Sequence, residues 1–98
     1  MDREIVWSML ASDDLVSVAE HITRDSEFYA AAVVRELVAA ARSLNAFAER
    51  GRQVPEYDEP SVRELIIRRK YRLIYRLHPR HVEVLRVIHG AQEMPPTV

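Results

Sequence analysis

The sequence predicts an α+β domain: a helical hairpin packed on one face of a small antiparallel sheet, in the order β-α-α-β-β-β. Two helix-period stretches, separated only by Asp25-Ser26, predict the hairpin. Three segments of strand period in the second half, divided by polar turns, predict a meander. At 98 residues, 48% hydrophobic and 30% charged, the chain has the size and composition of one folded domain, residues 1–98, rather than of a disordered chain or a two-domain enzyme.

From Glu4 to Met9 the residues alternate, with Ile5, Trp7 and Met9 on one side, so a first strand is expected to add to the sheet. Ser12 offers an N-cap oxygen, and Asp13 and Asp14 suit the positive end of a helix. Leu15, Val18, Ala19 and Ile22 then fall on one face of a helix running to about Arg24. A second, longer helix is expected from about Glu27 to Ala48, with Val33, Val34, Leu37, Ala41, Leu44 and Ala48 as its apolar stripe. Gly51, Pro55 and Pro60 mark Arg50 to Pro60 as a loop. Strands follow from Val62, over Tyr71–Leu77, and over Val82–His89, divided by the turns Arg68-Arg69-Lys70 and His78-Pro79-Arg80-His81. Leu73, Tyr75 and Leu77 form the apolar set expected beneath the helices. Arg72, Ile74 and Arg76 then project from the opposite, open face.

Charge is unevenly spread. Residues 1–49 hold four Arg and nine acids, a net −5; residues 50–98 hold ten Arg or Lys and six acids, a net +4. Eight cations lie between Val62 and Arg86. With no cysteine, disulfide scaffolds, thiolate metal sites and cysteine nucleophiles are excluded. No apolar run approaches the roughly 18 residues of a membrane span, and Met1-Asp2-Arg3-Glu4 leads into no signal-peptide apolar region, so a cytoplasmic protein without membrane contact is expected.

The candidate partner-binding residues are Arg68, Arg69, Lys70, Arg72, Ile74, Arg76, Arg86 and His89. Two readings stand: an anion-recognition surface for phosphates or an acidic protein segment, or a solvated face of ordinary charge. His89 and Arg86 also have the residue types of a general acid and a phosphate clamp. Their structural alternative is a strand-end histidine bonded to backbone. His78 and His81 lack a third ligand in sequence reach, so no metal is expected. Trp7, Phe28, Tyr29 and Phe47 are read mainly as core, although Phe28 and Tyr29 are adjacent and cannot both face inward.

Several of these residues recur as a set: Trp7, Asp14-Leu15, Gly51-Arg52-Gln53-Val54-Pro55-Glu56, Arg63-Glu64, Tyr71-Arg72-Leu73-Ile74-Tyr75, and Val87-Ile88-His89-Gly90-Ala91 with Pro95. Together they resemble the ParE toxins of the RelE/ParE superfamily of bacterial type II toxin-antitoxin systems, also labelled plasmid stabilisation proteins. The resemblance implies a growth-inhibiting toxin that binds and poisons DNA gyrase without cofactor. It also implies a cognate, ParD-like antitoxin whose C-terminal segment wraps the hairpin and sheet. RelE-type relatives are instead ribosome-dependent mRNA endoribonucleases. Arg72 and His89 match that set's arginine and histidine, and Arg86 would join them. Gly90 follows His89, no tyrosine follows to Val98, and Lys70 is the only lysine, so the acid-base set is incomplete. The resemblance therefore favours gyrase, with mRNA cleavage or a non-toxic antitoxin-binding relative as the alternatives.

Overall fold

The computed structural model describes residues 2–98. Along the chain lie β1 (Glu4–Trp7), α1 (Met9–Thr23), α2 (Glu27–Ser43), β2 (Arg52–Gln53), β3 (Val62–Ile67), β4 (Tyr71–Leu77) and β5 (His81–His89). The strands form one sheet in the order β1-β5-β4-β3-β2. The expected hairpin and meander are present. The sheet, however, has five strands and is mixed rather than wholly antiparallel, because β1 runs parallel to β5 from Glu4↔His81 to Trp7↔Val84. No tight turn joins these two strands, so hairpin geometry does not dictate their relative direction.

The start of α1 shows a tertiary contact overriding a local signal. Ser8, not Ser12, is the cap: its hydroxyl accepts from the Ala11 N–H at 3.0 Å and donates to the Leu85 carbonyl at 3.0 Å. The strand therefore ends at Trp7, and Met9 is 80% exposed in the first helical turn instead of facing the core. Asp14, displaced into the second turn, gains another task. β1 leaves β5 unpaired beyond Val84, and Asp14 Oδ2 accepts from the Val87 N–H there at 2.9 Å. Gln92 Oε1 accepts from the His89 N–H at 2.7 Å. Side chains thus close an edge that would otherwise template pairing with another strand.

α2 is capped by Ser26, which accepts from Tyr29 N–H, and it stops at Ser43 rather than Ala48. Leu44 and Asn45 donate three residues back, to Ala41 and Arg42, tightening the end. Asn45 exchanges bonds with the Arg3 backbone, which ties this turn to the start of β1. Leu44 and Ala48 stay buried, so the apolar stripe survives the change of backbone.

The main core lies between helices and sheet. Val33, Leu37, Ala41 and Leu44 pack with Leu73, Tyr75, Val82, Val84 and Val87, and Ile5, Trp7 and Leu77 flank them. Trp7 packs on this core as expected. Phe28 and Phe47 do not; they are 82% and 67% exposed. A second cluster of Val54, Val62, Ile74, Leu85 and Ile88 occupies the opposite sheet face, with Tyr57, Met94 and Val98 against it. Both faces of the sheet are therefore covered.

The turn between β3 and β4 is strained. Arg68 and Arg69 have φ of 55° and 60°, the left-handed region that disfavours residues with a Cβ. Arg69→Gly should raise stability by about 0.5–1 kcal/mol, the relief of that crowding less the added freedom of the unfolded chain. Urea denaturation checks this; an unchanged midpoint would mean the turn relaxes at no cost.

Candidate functional site

The candidate site is built on the sheet face away from the helices. Pairing aligns Ile66, Arg72 and Ile88 across it, then Glu64, Ile74 and Arg86, then Val62, Arg76 and Glu83. The expectation that this face is open is corrected by the structure. Ile74 is fully buried, and the arginines around it are engaged by the protein's own acids.

Residues 54–60 lie over this face as a strap. Arg72 grips Glu56 with both ends of its guanidinium, at 2.8 and 2.7 Å, while its Nε donates to Glu64 at 2.6 Å. Arg76 reaches Glu59 at 3.2 Å. Tyr57 packs on the second core and its hydroxyl donates to the Pro95 carbonyl, joining the strap to residues 94–98. Glu64 is the buried charged residue of this face, and Arg52 from β2 supplies its second donor at 2.7 Å. The forked arginine holds the Glu56 carboxyl at about 2, well below its ordinary 4.5, and the paired acids push the Arg72 guanidinium up.

The sign of the resulting pH dependence is fixed by that depression. Glu56 contributes stability that is complete above about 4.5 and is lost as the pH falls through about 2. Thermal melting between pH 5 and 2 should therefore show a smaller acid loss for Glu56→Gln than for the wild type. Identical profiles would place the acid-sensitive contact elsewhere.

The other candidate residues are dispersed. Arg68 pairs with Glu36 and stands 5.1 Å over the Tyr29 ring. Arg69 and Lys70 are exposed at the turn and form no ion pair among the described residues. Arg86 crosses the β5 edge to Asp14, with bonds of 2.7 and 3.0 Å. His89 pairs with Tyr71, on the helix face, and meets its ring edge-on at 5.6 Å. Its Nδ1 accepts from the Ala91 N–H at 3.0 Å. It lines a groove of about 630 Å³ together with His21, Arg24 and Gln92. Arg72 and His89 thus stand on opposite faces of the sheet, and the acid-base set of Arg72, Arg86 and His89 does not converge. His78 and His81 stack at 4.1 Å, with His78 Nε2 3.0 Å from Glu83, and among the described residues no three such side chains gather as a metal site.

Glu56, Glu59, Asp14 and Glu64 take part in this site, although none is among the candidate partner-binding residues read from the sequence. A signal for the first two was present, since Pro55-Glu56-Tyr57-Asp58-Glu59-Pro60 places three acids immediately before the most basic segment.

Residues 5–94 match the profile of a family described as the ParE toxin of the type II toxin-antitoxin system, parDE. The chain belongs to that family. No curated protein sequence matches it. The fold of this ParE-family toxin is shared with a chain of the chromosomal ParDE system of P. aeruginosa, at a TM-score of 0.74 and 22% identity, covering 89% of this chain and 95% of that one. A chain of the E. coli DinJ-YafQ toxin-antitoxin complex matches at 0.63 and 16% identity, over 93% and 96%. One from the RelBE2 complex of Mycobacterium tuberculosis matches at 0.61 and 25% identity, over 94% and 95%. The ParE-family chain is thus a type II toxin of the ParE/RelE superfamily, and its solved relatives come from toxin-antitoxin systems. Among its described residues no helix is long and apolar enough to cross a membrane.

Proposed function

We propose that this ParE-family toxin arrests growth by binding DNA gyrase and stabilising its cleaved-DNA complex, and that a cognate antitoxin neutralises it. The observation that supports binding over RNA cleavage is the separation of Arg72 from His89 by the sheet itself. General acid-base cleavage needs the proton donor and the phosphate clamp to reach one scissile bond. Here the histidine is on the helix side, with one ring nitrogen committed to its own backbone, and the arginine is under the strap. Binding requires only a surface. Arg69 and Lys70 offer its immediately accessible charge, while Arg72, Ile74, Arg76 and Arg86 form its covered part.

Gyrase supercoiling and cleavage assays with the purified protein test this reading. Inhibition with accumulation of cleaved DNA is expected; no effect at stoichiometric excess would overturn it. Translation-dependent transcript cuts that vanish in His89→Ala would establish the nuclease instead. Overexpression without growth arrest, together with antitoxin binding, would identify a relative that has lost toxicity.

A further inference from the structure

The strap carries the chemistry of a ligand. Pro55–Pro60 contains three acids around one tyrosine, and it sits on a floor of Ile74, Leu85 and Ile88 rimmed by Arg72, Arg76 and Arg86. An apolar centre within a charged rim is the anatomy of a protein interface. The backbone of this segment is weakly held. Tyr57 N–H returns to the Val54 carbonyl and Val62 N–H to the Glu59 carbonyl, so these bonds join the strap only to its own ends. Pro55 and Pro60 have no N–H to give. Contact with the rest of the fold runs through side chains: Glu56 on Arg72, Glu59 on Arg76, Gln53 of β2 on the Tyr57 carbonyl at 3.4 Å, and the half-buried Tyr57, whose hydroxyl donates to the Pro95 carbonyl. Segments with few buried contacts and exposed backbone open at lower free energy than the strands beneath them.

We propose that Pro55–Pro60 is an intramolecular pseudo-ligand, and that the face it covers is a docking surface for an acidic, extended peptide segment with an aromatic anchor, which displaces it. This rests on the reading above that the sheet face engages a macromolecule, and it adds the partner's chemistry and the device that masks the face. The incoming carboxylates replace Glu56 and Glu59 on Arg72 and Arg76, and the incoming ring replaces Tyr57. The exchange conserves the number of ion pairs and the apolar area covered, so it is controlled by partner concentration and by the hold of the strap. Until exchange occurs the arginines are neutralised, which protects a basic surface from indiscriminate binding to nucleic acid.

The test uses the strap's own sequence, Val54 to Ser61, as a synthetic peptide added in trans. Binding is measured by fluorescence anisotropy to the wild type and to Glu56→Gln/Glu59→Gln. The double variant should bind about tenfold more tightly, the effect of two partly exposed ion pairs removed from the competitor, and adding Arg76→Gln should abolish the gain. Equal affinity of the wild type and a folded double variant would overturn the proposal. So would tight binding of a thymidine oligonucleotide with no binding of the peptide. Should the variant fail to fold, amide exchange on the wild type decides. The amides of Glu56 to Glu59 should exchange at least about a hundredfold faster than those of β4, whereas equal protection would overturn a displaceable strap. Peptide binding without gyrase inhibition would leave this surface standing and overturn the gyrase reading; inhibition without peptide binding would do the reverse.

Discussion

Arg72→Ala is expected to lose about 3–5 kcal/mol of stability, because it strands a buried carboxylate. Glu64 has a fully buried side chain whose two donors are Arg72 at 2.6 Å and Arg52 at 2.7 Å. Arg52 is 61% exposed on a two-residue strand and is a poor sole partner. Arg72 also anchors Glu56, so the strap loosens with it. For a domain of this size the loss corresponds to a fall in melting temperature of roughly 12–40 °C. Replacing both partners, as in Arg72→Met/Glu64→Leu, should recover at least half of it, since no charge is then left buried. A loss below about 1 kcal/mol in the single variant would show that Glu64 finds water or another donor. The consequence for function is direct. Loss of toxicity in Arg72→Ala reports folding before it reports chemistry, and Arg69→Gln or Lys70→Gln are the informative surface variants.

Gly51→Ala should cost about 3 kcal/mol or more, for steric rather than conformational reasons. A Cβ there would press into the Tyr75 hydroxyl, and would lie 2.6 Å from the Glu64 carbonyl oxygen and 2.9 Å from the Tyr75 ring. Neither neighbour can yield easily. Tyr75 is fully buried, its hydroxyl donating to the Ala48 carbonyl at 2.8 Å and accepting from Gly51 N–H at 3.0 Å. The Glu64 backbone is held in β3 between β2 and β4. Tyr75→Phe alone should cost about 1–3 kcal/mol by orphaning those two backbone groups. Because Phe also removes one of the obstacles, the double variant should lose about 1 kcal/mol less than the sum, as read from urea denaturation of all four proteins. Strict additivity would mean that the Glu64 carbonyl alone sets the cost.

Periodicity made the larger elements legible. Tyr71 to Leu77 alternates as a strand must, and Leu73 and Tyr75 lie under the helices as that alternation requires. Val33, Leu37, Ala41, Leu44 and Ala48 of the α2 stripe are buried, even where the helix gives way to a turn at Leu44. Element ends were less legible. Ser12, followed by Asp13 and Asp14, is the better cap by local signals, yet Ser8 takes the role and bonds the Leu85 carbonyl, 77 residues away. The direction of β1 was likewise silent, since four alternating residues pair as readily with either polarity.

For the candidate site the division is sharper. The charge distribution marks the basic segment, and the residue set from Trp7 to Pro95 marks the ParE family, which the profile over residues 5–94 bears out. Which arginines are available was not encoded locally. The same alternation that sends Arg72 and Arg76 away from the helices leaves Ile74 between them, and an isoleucine at the centre of a sheet face drives something to cover it. Local periodicity suffices for two helices, a meander and a cationic strand surface, because these follow from contacts within a few residues or one strand pairing. Long-range packing masks the surface, divides Arg72 from His89 by the sheet, and sets Asp14 on the β5 edge. Those facts depend on pairs separated by 16 to 73 residues, whose meeting is set by how all the layers pack together.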